Sequence, residues 1–129
     1  MSIELVCLVW STALCLAYIS AQVMTKRLQE GVGNYDPNND RDIELGLRPA
    51  RAERALRNFL ETYPIFIALV AAAQLSGSGD WLTQWGAVLY LVARVIYLPL
   101  YIFGIGPMRS LVWTLAFIGL VMIFVGVLI

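Results

Sequence analysis

Four stretches of apolar residues, each about 20 residues long, dominate this chain of 129 residues. A helix that crosses the hydrocarbon core of a bilayer needs about 20 consecutive apolar residues. The sequence therefore predicts four spans, at about residues 3–24, 50–74, 81–103 and 109–129. Only 14% of the residues are charged, whereas a soluble globular domain carries about a quarter. We expect an all-α integral membrane protein, a single four-transmembrane-helix antiparallel bundle occupying residues 1–129.

The basic residues predict the orientation of this bundle. All nine lie in a loop at about residues 25–49, in the adjoining half of the second span, in the inner half of the third span, or at the start of the fourth span. Cytoplasmic segments carry an excess of Lys and Arg, so we expect this end to be cytoplasmic and both termini to face the other side. Glu4 stands where the basic leader of a signal peptide would lie, which indicates a retained first span. The absence of a retention signal favours a bacterial inner membrane.

Polar side chains enter the cytoplasmic halves of the second, third and fourth spans. In the second span they follow helical spacing, so that they share one stripe. The third span carries a second stripe with spacing i, i+3 and i+7, and the fourth span begins with two more polar residues. The set comprises Arg54, Arg57, Asn58 and Glu61, then Arg94, Tyr97 and Tyr101, and finally Arg109 and Ser110. Polar residues at membrane depth are costly and usually line a site.

The charges of this set indicate the chemistry of its ligand. Arginine side chains bind carboxylates through two parallel hydrogen bonds, and a single glutamate among four arginines could receive an ammonium group. A ligand with two carboxylates and one amine satisfies the whole set. The alternative is structural, because Arg57 or Arg94 could neutralise Glu61 within the bundle.

Composition excludes several other classes of function. The chain contains no histidine, so a Ser-His-Asp or Cys-His hydrolase is excluded in its usual form. Both cysteines lie in the first span, eight residues apart on one helix, so we expect neither a disulfide nor a metal site. Net charge is zero and acidic residues interrupt the basic ones, so nucleic acid is not an expected partner.

Three motifs in order on the last three spans resemble the MAPEG family, the membrane-associated proteins in eicosanoid and glutathione metabolism. They are Arg54-Ala-Leu-Arg-Asn-Phe-Leu-Glu-Thr-Tyr-Pro64, Arg94-Val-Ile-Tyr-Leu-Pro-Leu-Tyr101 and Arg109-Ser110. The resemblance implies a homotrimer embedded in membrane lipid. It also implies three sites between neighbouring subunits, each holding glutathione near the cytoplasmic face. Glutathione has two carboxylates and one ammonium group, which agrees with the ligand argued from charge.

The resemblance also implies a role for each polar residue. Arg109 would stabilise the glutathione thiolate, and the adjacent Ser110 completes the expected catalytic pair. The expected glutathione-binding residues are Arg54, Arg57, Asn58, Glu61, Arg94, Tyr97 and Tyr101. Where many members have an arginine near the end of the first span, this chain offers only Gln22 or Lys26. We expect no metal ligands among these residues.

These roles predict a glutathione transferase, with glutathione as cosubstrate, that acts on small hydrophobic electrophiles or lipid hydroperoxides. Peroxidase activity would accompany the transfer. Tyr97 stands where the prostaglandin synthase branch has a histidine, which disfavours prostaglandin E synthase activity. The alternative is a non-catalytic membrane scaffold of the same fold that binds lipid or glutathione.

Overall fold

The protein is a bundle of four helices, and the computed structural model describes residues 1–30 and 47–129. The helices are α1 (Ile3–Glu30), α2 (Leu47–Ser76), α3 (Trp81–Ile102) and α4 (Gly106–Leu128). Each is long and apolar enough to cross a membrane. α1 continues beyond residue 24, and α2 starts ahead of residue 50. Residues 31–46 of the predicted loop lie outside the described residues.

Local sequence explains where α3 and α4 begin. The Asp80 side chain accepts hydrogen bonds from the backbone N–H groups of Leu82 and Thr83, at 3.0 Å each, and so caps α3. The Thr83 hydroxyl accepts in return from the Asp80 N–H, which completes a capping box. α4 begins at Gly106 and Pro107, where a proline costs no helical hydrogen bond.

The four helices are not arranged equivalently. α2 and α3 contact each other and both remaining helices, whereas α1 and α4 do not contact each other within the described residues. α3 and α4 pack most closely, because glycines face each other there. A Cβ added at Gly119 would lie 2.7 Å from the Gly86 carbonyl oxygen. α1 and α4 therefore lie on opposite sides of the central pair.

A column of aromatic rings fills the interior between α1, α2 and α3. Successive ring centroids are 4.4–6.5 Å apart. The rings belong to Tyr18, Phe59, Tyr63, Phe66 and Tyr90. Such pairs add about 0.5–1.5 kcal/mol each beyond area burial, so the column fixes how the three helices face one another.

Hydrogen bonds add to this packing along α1. The Tyr18 hydroxyl donates to the Arg94 carbonyl oxygen at 2.7 Å, and Ser11 bonds the Tyr63 hydroxyl at 2.9 Å. Near the start of α1 the buried Glu4 carboxylate accepts from the Thr83 hydroxyl at 2.6 Å. These bonds hold the first half of α1, from Glu4 to Tyr18, against the central pair.

Candidate functional site

Arginines gather at the end of the bundle where α1 and α3 end and α2 and α4 begin, which we call the arginine-rich end. Two of them hold the corner between α3 and α4. Arg51 donates from Nη1 to the Ile102 carbonyl oxygen at 3.3 Å, and Arg48 lies over the Phe103 ring, 5.6 Å from its centroid. Cations are favourable at a helix C-terminus. These two arginines therefore stabilise the corner at the C-terminal end of α3.

A recess of about 190 Å³ opens between α2, α3 and α4 at this end, and we call it the α4 pocket. It brings together one polar residue from α2, one tyrosine from α3 and four residues from α4. The lining residues are Asn58, Tyr97, Arg109, Ser110, Trp113 and Thr114. No carboxylate is among them. The pocket therefore combines a cation with hydrogen-bonding groups, which is a setting suited to an anion.

The Arg109 guanidinium lies against the tyrosines of α3. Its Cζ is 4.5 Å from the centroid of the Tyr101 ring, and that ring meets the Tyr97 ring edge-on at 5.5 Å. Arg54 approaches the same Tyr101 ring, with 6.0 Å between its Cζ and the centroid. Contacts between a cation and an aromatic face are attractive. Four of the predicted site residues thus form one cluster beside the α4 pocket.

Arg94 lies inside the bundle rather than at a surface. Its exposed fraction is 0%, and its Nη2 donates to the Asn58 Oδ1 at 2.9 Å and to the Thr62 hydroxyl at 2.8 Å. The guanidinium lies among the rings of Phe59, Tyr90 and Tyr97, with the Tyr97 centroid nearest at 4.8 Å. The sequence predicted Arg94 as a glutathione-binding residue, but its side chain does not line the α4 pocket and contacts two residues that do, Asn58 and Tyr97.

A second recess of about 400 Å³ lies between α1 and α2, and we call it the α1 groove. Its lining residues are Gln22, Glu53, Leu56, Arg57, Leu60 and Glu61. The stripe predicted on α2 is therefore divided within one chain. Asn58 turns towards α4, whereas Arg57 and Glu61 turn towards α1.

The internal ion pairs considered from the sequence are not formed in the described part of the chain. Arg57 pairs with Glu53 instead, at 3.4 Å, and their side chains are 70% and 36% exposed. Such an exposed pair contributes about 0–1 kcal/mol. Arg94 bonds an amide and a hydroxyl, and Glu61 is exposed. Neutralisation of Glu61 inside the bundle therefore does not explain these residues.

Sequence reasoning did not single out Thr62. It lies four residues after Asn58, so helical spacing places both on one face, and both contact Arg94. Its side chain resembles that of many structural threonines, so only the i, i+4 relation could have signalled it. Trp113 and Thr114, which the predicted site did not include, also line the α4 pocket.

The sequence profile of the MAPEG family matches residues 5–129, which is nearly the whole chain. The chain belongs to the MAPEG family. This membership confirms the resemblance predicted from the three motifs. With four helices of membrane-spanning length, this MAPEG member is an integral multi-pass membrane protein. MAPEG proteins include glutathione transferases and peroxidases as well as members that are not transferases. No curated protein and no solved structure matches the chain.

Proposed function

We propose that this MAPEG member is a glutathione-dependent membrane transferase with peroxidase activity, acting on small hydrophobic electrophiles or lipid hydroperoxides. The observation that carries the proposal is Arg109 at the α4 pocket. None of the described carboxylates lines that pocket, while Asn58, Tyr97 and Ser110 bring hydrogen-bonding groups to it. A cation without a carboxylate partner among the described residues favours an anionic ligand.

The proposed role of Arg109 is to keep the sulfur of glutathione ionised. Only a thiolate is a strong nucleophile, and a free thiol has a pKa of about 8.5, so most of it is protonated at neutral pH. A guanidinium beside the sulfur favours the charged form. Arg109 is half-buried, and its contact with the Tyr101 ring limits its freedom to turn away. Ser110, the next residue, would supply a hydroxyl that donates to the same sulfur.

Two reactions follow from a bound thiolate. In transfer, the sulfur attacks an electrophilic carbon, a C–S bond forms, and the leaving group departs with its electron pair. In peroxide reduction, the sulfur attacks the terminal oxygen of a hydroperoxide and the O–O bond breaks. The alkoxide takes a proton to become the alcohol. The attack forms an S–O bond, and the resulting glutathione sulfenic acid then condenses with the thiol of a second glutathione, releasing water and the disulfide.

The hydrophobic substrate would reach the sulfur from lipid along α4. Trp113 lines the α4 pocket, and its ring stacks on the exposed Phe117 with 5.6 Å between centroids. These two rings make a continuous apolar surface from the outer face of the helix to the pocket. An apolar electrophile dissolved in the bilayer could follow it without crossing water.

The α4 pocket of one chain is small for this ligand. Ligand sites commonly enclose about 300–1,000 Å³, whereas the pocket has about 190 Å³. Arg57 and Glu61, which the ligand's carboxylate and ammonium groups would need, line the separate α1 groove. We propose that three copies assemble so that the α1 groove of one subunit adjoins the α4 pocket of its neighbour, completing one glutathione site at each interface.

Purified protein in lipid nanodiscs tests the proposal. Glutathione should bind at millimolar or lower concentration, and mass spectrometry should detect the thioether from a halogenated nitroaromatic electrophile and the alcohol from a lipid hydroperoxide. Failure to bind glutathione would refute the proposal. Binding without either product would favour the non-catalytic scaffold of the same fold.

A further inference from the structure

The least explained side chain in the described part of the protein is that of Arg94. Its guanidinium is fully buried, yet of its three nitrogens only Nη2 has hydrogen-bond partners. No carboxylate pairs with it among the described residues, and the groups around it are aromatic rings, an amide and a hydroxyl.

Stability does not account for such an arrangement. A buried charge without a counter-charge is unfavourable, and replacing buried charged groups by apolar residues of similar volume is often neutral or stabilising. Direct contact with a ligand does not account for it either, because no part of the side chain is exposed. Its effect on the site must pass through the groups that it holds.

Two groups that line the α4 pocket contact Arg94, the Tyr97 ring and the Asn58 side-chain amide. The guanidinium lies over the ring, whereas it donates a hydrogen bond to the amide, so the amide is the group that it can orient. A guanidinium carries only donors, so it can bond only the oxygen of the amide, as the 2.9 Å contact with Oδ1 indicates. The amide oxygen is therefore held inward, and the NH₂ group is the part left for the pocket.

Thr62 completes the restraint on Arg94. Its hydroxyl accepts from Arg94 Nη2 at 2.8 Å and can donate to the Phe59 carbonyl oxygen at 3.2 Å. The Tyr90 hydroxyl, 3.0 Å away, can then donate to the same threonine oxygen. These bonds fix the Thr62 hydroxyl, which in turn holds Arg94 Nη2 beside the Asn58 amide.

We propose that Arg94 is a positioning residue, which holds the Asn58 amide with its oxygen inward and its NH₂ group towards the α4 pocket, so that Asn58 donates to an anionic ligand. This inference rests on the proposed function, in which that ligand is glutathione. An unrestrained amide would turn freely and present an acceptor to the same anion for part of the time.

A double-mutant cycle tests the inference through glutathione affinity, measured by calorimetry on the full-length protein in nanodiscs. Arg94→Met and Asn58→Ala should each weaken binding on the order of tenfold, the size of one hydrogen bond to a charged group. In the Asn58→Ala background, Arg94→Met should cause little further loss, because Arg94 acts through Asn58. The melting temperature of Arg94→Met should not fall in proportion to its loss of glutathione affinity.

Two further variants exclude simpler roles. Asn58→Asp keeps a partner for Arg94 but has no donor, so it should lose affinity at least as much as Asn58→Ala. Arg48→Met removes a cation from the same end of the bundle, at Phe103 and away from the pocket, and should change affinity less than twofold.

The outcomes separate this inference from the proposal on which it rests. Additive losses for Arg94→Met and Asn58→Ala would overturn it, since Arg94 would then act through the Tyr97 ring or through its charge rather than through Asn58. Wild-type affinity in Asn58→Asp would also overturn it. A wild-type protein that binds no glutathione would overturn the proposed function itself.

Discussion

A methyl group added at Gly104 should loosen the corner that carries Arg109. Gly104 has a φ of +75°, and this left-handed conformation costs a residue with a Cβ about 1–2 kcal/mol. The added Cβ would lie 2.7 Å from the Arg51 Cζ, so the guanidinium must leave. Its hydrogen bond to the Ile102 carbonyl oxygen would be lost, which costs about 1 kcal/mol. Gly104→Ala should therefore lower the free energy of unfolding by about 2–3 kcal/mol.

Unfolding in mixed micelles, titrated with dodecyl sulfate and followed by tryptophan fluorescence, measures this change. In an Arg51→Met background the same substitution should cost about 1 kcal/mol less, because no guanidinium remains to be displaced. Gly106→Ala is the matched control, since a Cβ there meets no atom within 4 Å. Equal costs at Gly104 and Gly106, or equal costs of Gly104→Ala in both backgrounds, would refute the reasoning.

Three further predictions concern the packing and the assembled site. Gly119→Ala should destabilise the bundle by about 1–3 kcal/mol through overpacking against Gly86; stability equal to that of Gly106→Ala in the same titration would contradict it. Glu61→Gln should weaken calorimetric glutathione binding on the order of tenfold with little change in melting temperature, because Glu61 is exposed; parallel losses of binding and stability would favour a structural role. Equal mixtures of Glu61→Gln and Arg109→Ala subunits, assayed at a glutathione concentration too low for either variant alone to turn over, should regain about a quarter of wild-type turnover if each site joins two chains; no recovery would place the site within one chain.

Much of the fold could be predicted from hydropathy, because membrane-spanning helices are recognised by their length and apolar composition. The motifs on α2, α3 and α4 led to the family, which the profile match confirms. The predicted homotrimer, the orientation of the termini and the bacterial inner membrane remain predictions. They depend on partners and surroundings that lie outside a single chain.

The sequence could not resolve how the polar stripe of α2 is shared between its neighbours. Helical spacing shows that Arg57 and Asn58 lie close together on the helix, but only packing decides which faces α1 and which faces α4. Nor could spacing predict that Arg94 is buried. That placement depends on aromatic rings from both α2 and α3, and it also depends on an amide and a hydroxyl four residues apart on α2.

The ultraviolet absorbance of bound glutathione tests the central claim most directly. When glutathione is added to the wild-type protein at neutral pH, a thiolate band should appear in the difference spectrum, because Arg109 favours the ionised sulfur. The band should be lost in Arg109→Ala. It should be kept in Arg48→Ala, because the Arg48 guanidinium of the wild-type protein lies over Phe103 and not at the α4 pocket. Glutathione that binds the wild type without a thiolate band, or a band that survives in Arg109→Ala, would contradict the account.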